Sequence, residues 1–170
     1  NYRSTIATVD QMMSETAVLA GERIEQELVA YKNVAIDTGC IAQLSDDSVS
    51  VEEKQAIIDE RVSTHGFQRG NVIGPDGYSI FDGNDYSDRE YVQQAMKGNV
   101  YVSEPLISKI TGSLSIMVAA PLYADGNYGS QIVGVVYFVP QETFLNDIVS
   151  SIKVSKNSHA YMINKSGDTI

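Results

Sequence analysis

The sequence predicts an α+β fold, with a long N-terminal helix followed by a module in which a central antiparallel sheet is flanked by helices. Three features point there. Apolar residues in the first 40 positions recur every three or four residues. After His65-Gly66 the pattern changes to short runs rich in β-branched and aromatic side chains. Clusters of Gly, Pro, Asp and Asn suited to turns separate those runs.

The N-terminal helix is predicted from about Thr5 to Tyr31 and as far as Ala42. Ile6, Val9, Met13, Ala17, Ala20, Ile24, Leu28, Tyr31 and Ala35 share one face, and Glu22, Arg23, Glu25, Gln26 and Lys32 lie opposite. About 30 residues of helix extend about 45 Å, too long for one side of a small core. Two compatible arrangements follow: packing lengthwise on its own domain, and pairing with a second copy as a short coiled coil. Ser50-Val51-Glu52-Glu53 has the spacing of a capping box ahead of a helix from Lys54 to Thr64. Strands are expected at Asn71–Ile73, Tyr78–Phe81, Val100–Ser103, Leu114–Ala120 and Ile132–Val139, joined mostly by hairpins, with helices at Asp88–Lys97 and Gln141–Ile152. Ser158–Asn164 reads as the start of one more strand, followed by a turn at Lys165–Asp168. Both ends read as cut from a longer protein.

Composition bounds the function. Of 170 residues, 43% are hydrophobic and 20% charged, ordinary values for a folded chain. The net charge of -10 repels a phosphate backbone, so nucleic acid is not an expected partner. No apolar run is long enough to span a membrane. Cys40 is the only cysteine, and His65 and His159 lie far apart without metal-ligand spacing, so neither a metal nor a cofactor is expected. No phosphate loop or nucleophile motif is present, and the expectation is that the chain is not an enzyme.

In order along the chain stand Tyr86-Ser87-Asp88-Arg89-Glu90-Tyr91-Val92-Gln93-Gln94-Ala95, Val102-Ser103-Glu104-Pro105, Thr111-Gly112, Ser115–Tyr123 and Gly134–Phe138. With the helices before them they resemble the double Cache family, the extracellular sensors of bacterial chemoreceptors, histidine kinases and cyclases. That resemblance implies three parts. Residues 1–45 form the N-terminal helix, residues 46–152 a membrane-distal, PAS-like ligand-binding module, and residues 153–170 the beginning of a membrane-proximal module. The coiled-coil arrangement of the N-terminal helix gives an expected homodimer, and the resemblance implies a membrane reached only through transmembrane segments outside this sequence.

In amino-acid-binding members of that family, an Arg followed two positions later by an aromatic holds the ligand carboxylate. Arg89 and Tyr91 match, and Val92 stands where a further aromatic is common. A guanidinium suits the role because its planar fork gives two parallel hydrogen bonds while staying charged. The acidic positions that grip the ligand ammonium fall on Ser108 and Val139, and neither carries charge. A buried ammonium left without a counter-ion costs several kcal/mol, so an amino acid is not the expected ligand. Asn84, Tyr101, Ser108 and Tyr137 complete the candidate set.

Alternatives stay open for these residues. Arg89 could pair on the surface with Asp85, Asp88 or Glu90, and Phe81, Tyr91, Tyr101 and Tyr137 could all be core. The acidic cluster Asp82, Asp85 and Asp88 lacks the loop spacing of a calcium site. The expected function is a chemoreceptor sensor domain for a small metabolite, a small carboxylate first and a nucleobase next. A kinase or cyclase sensor and a ligand-free structural or dimerisation module are the other readings.

Overall fold

The computed structural model describes residues 2–112, 114–144, 146–147 and 150. Two compact units divide the chain. One comprises the residues up to Val29 and from Glu142 onward, the other Ala30–Gln141. Helix α1 runs over Tyr2–Gly39, longer at both ends than the core of the apolar pattern. In the first unit Ile24 and Phe144 are buried, residues 142–144 and 146–147 are helical, and Arg23 sits 3.4 Å from both Glu27 and Asp147. These ion pairs are exposed and contribute little. The expected strand at Ser158–Asn164 lies outside the described residues.

In the second unit, Gly39 ends α1 where the helix meets the carbonyl of Pro121; a Cβ at this position would collide with that oxygen. A short helix α2, Ala42–Ser45, follows. Helix α3, Val51–His65, begins at the expected capping box. Ser50 accepts from the Glu53 amide, and the Glu53 side chain accepts from the Ser50 amide. Gly66 closes α3 in the left-handed conformation at φ 71°, which a glycine adopts without a steric penalty.

The main sheet has the order β1-β6-β5-β2, all antiparallel, from β1 (Phe67–Ile73), β6 (Ile132–Pro140), β5 (Val118–Tyr123) and β2 (Tyr101–Val102). Helix α4, Glu90–Met96, precedes β2. Only β5 and β6 are sequence neighbours within this sheet, so hairpins are fewer than the turn signals suggest. Leu114–Ala120 is two strands: β4 (Leu114–Ser115) pairs with β3 (Leu106–Ile107) in a separate small sheet, and β5 starts at Val118. Tyr78–Phe81 is mostly turns, with isolated β-bridges at Ile73–Ser79 and Tyr78–Asp85 in place of a strand. Local side chains take up its amides: Asp76 accepts from Tyr78 N, and Ser79 Oγ accepts from Phe81 N and Asp82 N.

Both faces of the sheet are covered, which buries β5 throughout and β6 from Gly134 to Pro140. On one face Val72, Val118, Ala120, Leu122, Val136 and Phe138 pack with Ala35 of α1 and Ile58 of α3. The other face sets Ile73, Ala119, Val135, Tyr137 and Val139 against Tyr86, Tyr91, Val92 and Ala95. Ile58 is fully buried between α3 and the sheet. Ile58→Ala is therefore expected to lower unfolding stability by about 2–5 kcal/mol in a denaturant titration, through the cavity it leaves.

Candidate functional site

The face of the sheet under α4 is apolar except along β1, where Arg69 and Asn71 project onto it. A bulge makes this possible. The register moves from Phe67–Pro140 to Arg69–Val139 with one residue unpaired between them. Residues two apart in a regular strand share a face, yet Phe67 packs in the cluster with Ile58 and Phe138 while Arg69 emerges on the Tyr137 side. Gly70, next to Arg69, lets Ile58 and Phe138 approach to 2.8 Å of where a Cβ would stand.

Arg69 Nη2 donates to Ser108 Oγ at 2.6 Å, while its Nε and Nη1 are buried without a partner. Arg89, the N-cap residue of α4, donates from Nη2 to the carbonyl of Ile107 at 3.1 Å, and its buried Nε has no partner. Guanidinium groups from two elements thus meet adjacent residues of the 106–111 segment, Arg69 at Ser108 and Arg89 at Ile107. Lys109 is a third tie: its Nζ donates to Asp88 Oδ1 and to the Asp85 carbonyl, each at 2.7 Å, and lies 5.7 Å from the centre of the Tyr86 ring.

Beneath the arginines lie Tyr86, Tyr91 and Tyr137, each 1% exposed. The rings of Tyr86 and Tyr91 lie against that of Tyr137 at centroid distances of 5.9 and 5.2 Å. Asn71 Nδ2 donates to the Tyr137 hydroxyl at 3.1 Å, Tyr86 donates to Asp82 Oδ2 at 2.8 Å, and Ser79 Oγ donates to Asn71 Oδ1 at 2.6 Å. Burial pushes the pKa of all three phenols up. The charges of Arg89 on Tyr91 and of Arg69 on Tyr137 oppose this without reversing it. The phenols stay neutral at physiological pH, so the two guanidinium charges are not offset from below.

Of the residues expected from the sequence, Arg89, Tyr91, Tyr137 and Ser108 come together here. Tyr101 is buried in the same apolar cluster, with its hydroxyl bonded to Glu90. Asn84 is exposed; its backbone amide donates to Asp82 and its carbonyl accepts from Ser79. The two positions matching ammonium-binding acids both adjoin Arg69, since Ser108 is its bonded partner and Val139 faces it across the β1–β6 ladder. Arg69, Asn71 and Tyr86 were not expected at the site. A period of two counted back from Ile73 singles out Asn71 and Arg69, but a strand begun at Asn71 stops short of the arginine. The acidic residues serve separate partners: Asp82 takes Tyr86 and the Asn84 amide, Asp85 takes Ser87, and Asp88 takes Lys109. Among the described residues no three metal-ligating acidic, His or Cys side chains are grouped.

Residues 1–170 match a family described as Cache domain. Similar solved structures include the ligand-binding domain of the Campylobacter jejuni chemoreceptor Tlp3 in complex with 4-methylisoleucine. It has a TM-score of 0.66 and 15% identity over 86% of this chain and 63% of that one. That of Pseudomonas fluorescens CtaA with L-alanine gives 0.64 and 16%, over 85% and 63%. That of Pseudomonas aeruginosa PctC with GABA gives 0.68 and 13%, over 95% and 75%. The chain thus spans less than two thirds of the first two domains. They share its fold: a helix followed by an open antiparallel sheet. No curated protein matches the chain.

The hydrogen bond from Lys109 is the main cause that holds the Asp88 carboxyl below the ordinary value of 3.8. A depressed carboxyl stabilises the fold above its unfolded value, and that contribution disappears as pH falls through the lower folded value. Asp88 is mostly exposed, so the contribution is at most about 1 kcal/mol. An NMR titration of Asp88 should show a midpoint below 3.8, and Lys109→Met should move it up toward that value. An unchanged midpoint in the variant is incompatible with this tie.

Proposed function

The chain belongs to the Cache domain family, and we propose that it is the extracellular ligand-binding part of a transmembrane chemoreceptor, binding a small carboxylate and catalysing no reaction. The observation that carries this reading is Arg89, whose buried Nε lacks a partner beside the Tyr91 ring while its Nη2 rests on a backbone carbonyl. A carboxylate satisfies such a donor set better than a neutral carbonyl does, because it brings an opposite charge and two oxygens that match the planar fork of the guanidinium. The ligands in the Tlp3, CtaA and PctC complexes all contain a carboxylate. Ser108 and Val139 offer no negative charge to an ammonium, which favours a ligand without one. A nucleobase stacked on Tyr91 or Tyr101 is less well supported, since those residues are 1% and 8% exposed and their rings are already packed in the core.

Binding signals only if the ligand prefers one of two arrangements of the protein. Ile107 and Ser108 hold the Nη2 donors of the two arginines, so a carboxylate that takes over the Arg89 donors removes one tie of the 106–111 segment and leaves those of Arg69 and Lys109. Transmission onward runs through the N-terminal helix and the helix that follows β6 to the membrane. The three-four spacing of apolar residues in α1, with Val29 half exposed, supports pairing of two copies along that helix.

A thermal-shift screen against small carboxylates, amino acids and nucleobases tests the proposal. A ligand at about 100 times its Kd should stabilise the fold by about 2.7 kcal/mol. Carboxylates should shift the melting temperature, and Arg89→Ala should remove the shift. A nucleobase response that survives Arg89→Ala, with none from any carboxylate, refutes the assignment.

A further inference from the structure

Building on the reading of Arg89 as a carboxylate-binding residue, we propose that the site takes a dianion, a dicarboxylate of four or five carbons, with Arg69 holding the second carboxylate. Among the described residues, the buried side-chain nitrogen and oxygen atoms that lack a partner are Arg69 Nε, Arg69 Nη1 and Arg89 Nε. All three belong to the two guanidinium groups that converge on the 107–108 segment. A buried donor without an acceptor is unfavourable, and one that is charged is more so, which gives an anion a place to bind.

Charge counting leads to the same class. The chain carries 22 acidic residues, yet among the described residues no salt bridge joins any of them to Arg69 or Arg89. The acids nearest in the fold serve other donors, as described for Asp82, Asp85 and Asp88. Arg69 meets only neutral groups: the Ser108 hydroxyl, the Tyr137 side and Val139 across the ladder. A monocarboxylate on Arg89 neutralises one of two positive charges and leaves two of the three vacant donors unused.

Geometry limits the size. The two Nη2 atoms bond to the Ile107 carbonyl and the Ser108 hydroxyl, which bounds their separation at about 11 Å. Two charge-assisted hydrogen bonds of about 2.8 Å each then leave at most roughly 5 Å between the ligand's carboxylates, a limit that carboxylates joined by two or three carbons meet and longer extended diacids exceed.

Titration calorimetry of the 170-residue chain with succinate, malate and glutarate against butyrate and valerate tests this. At least one dicarboxylate should bind about 10-fold or more tightly than either monocarboxylate. Arg69→Met should weaken that dicarboxylate by roughly 10- to 100-fold while changing monocarboxylate binding by less than about threefold. Arg69→Lys keeps the charge without the fork; it should fall between wild type and Arg69→Met, and carries the test if the methionine variant does not fold. Arg89→Met should weaken both classes. Equal affinity for the two classes, or an equal loss of both on Arg69→Met, overturns the dianion while Arg89 keeps its role. No binding by any carboxylate, or binding indifferent to Arg89→Met, removes the carboxylate reading and this inference together.

Discussion

Strand β6 is the constraint on which the rest of the second unit depends. It pairs with β1 on one side and β5 on the other, and both of its faces are covered. Each of its residues therefore has a fixed destination: Val136 and Phe138 toward α3, Val135, Tyr137 and Val139 toward α4. A slip of one residue would exchange these sets, burying the Tyr137 hydroxyl among Ile58 and Phe67, where no polar partner waits. Register is thus fixed by chemistry on both sides of the sheet, and the positions facing α4 inherit that precision.

Against this rigid strand, β1 gains its function from an irregularity. The bulge between Phe67 and Arg69 lets one strand send a phenylalanine to one layer and, two residues on, an arginine to the other. The arginine is tolerated because it lies at the edge of the apolar cluster, with a hydroxyl, phenols and an amide around it. A charge placed at Ile73, four residues further along the same face, would sit in a fully buried position with none of these. The polar end of an otherwise apolar face is where α4 and the 106–111 segment come together.

Fold class and most elements could be read from the sequence because they rest on local signals: the three-four spacing in α1, the Ser50–Glu53 box before α3, and the β-branched run of β6. Tyr78–Phe81 has the composition of a strand and is mostly turns, because Asp76 and Ser79 compete for its amides at short range. The division of Leu114–Ala120 between two sheets depends on which partner each half meets, and composition does not encode partners. At the site the same divide holds. Arg89 and Tyr91 are visible as a local pair, whereas Arg69 reaches the site only through a bulge defined by pairing with residues some 70 positions away.

The tyrosine floor has an optical consequence. The sequence contains ten tyrosines and no tryptophan, so ultraviolet absorption near 280 nm and intrinsic emission come from phenols alone. Three of those ten lie together in a chiral, water-poor setting, with the Tyr86 and Tyr91 rings set at an angle against that of Tyr137. Such rings dominate near-ultraviolet dichroism, and a charge moving above them perturbs their transitions. The protein thus carries its own chromophore at the place where occupancy changes, with no competing indole signal to mask it.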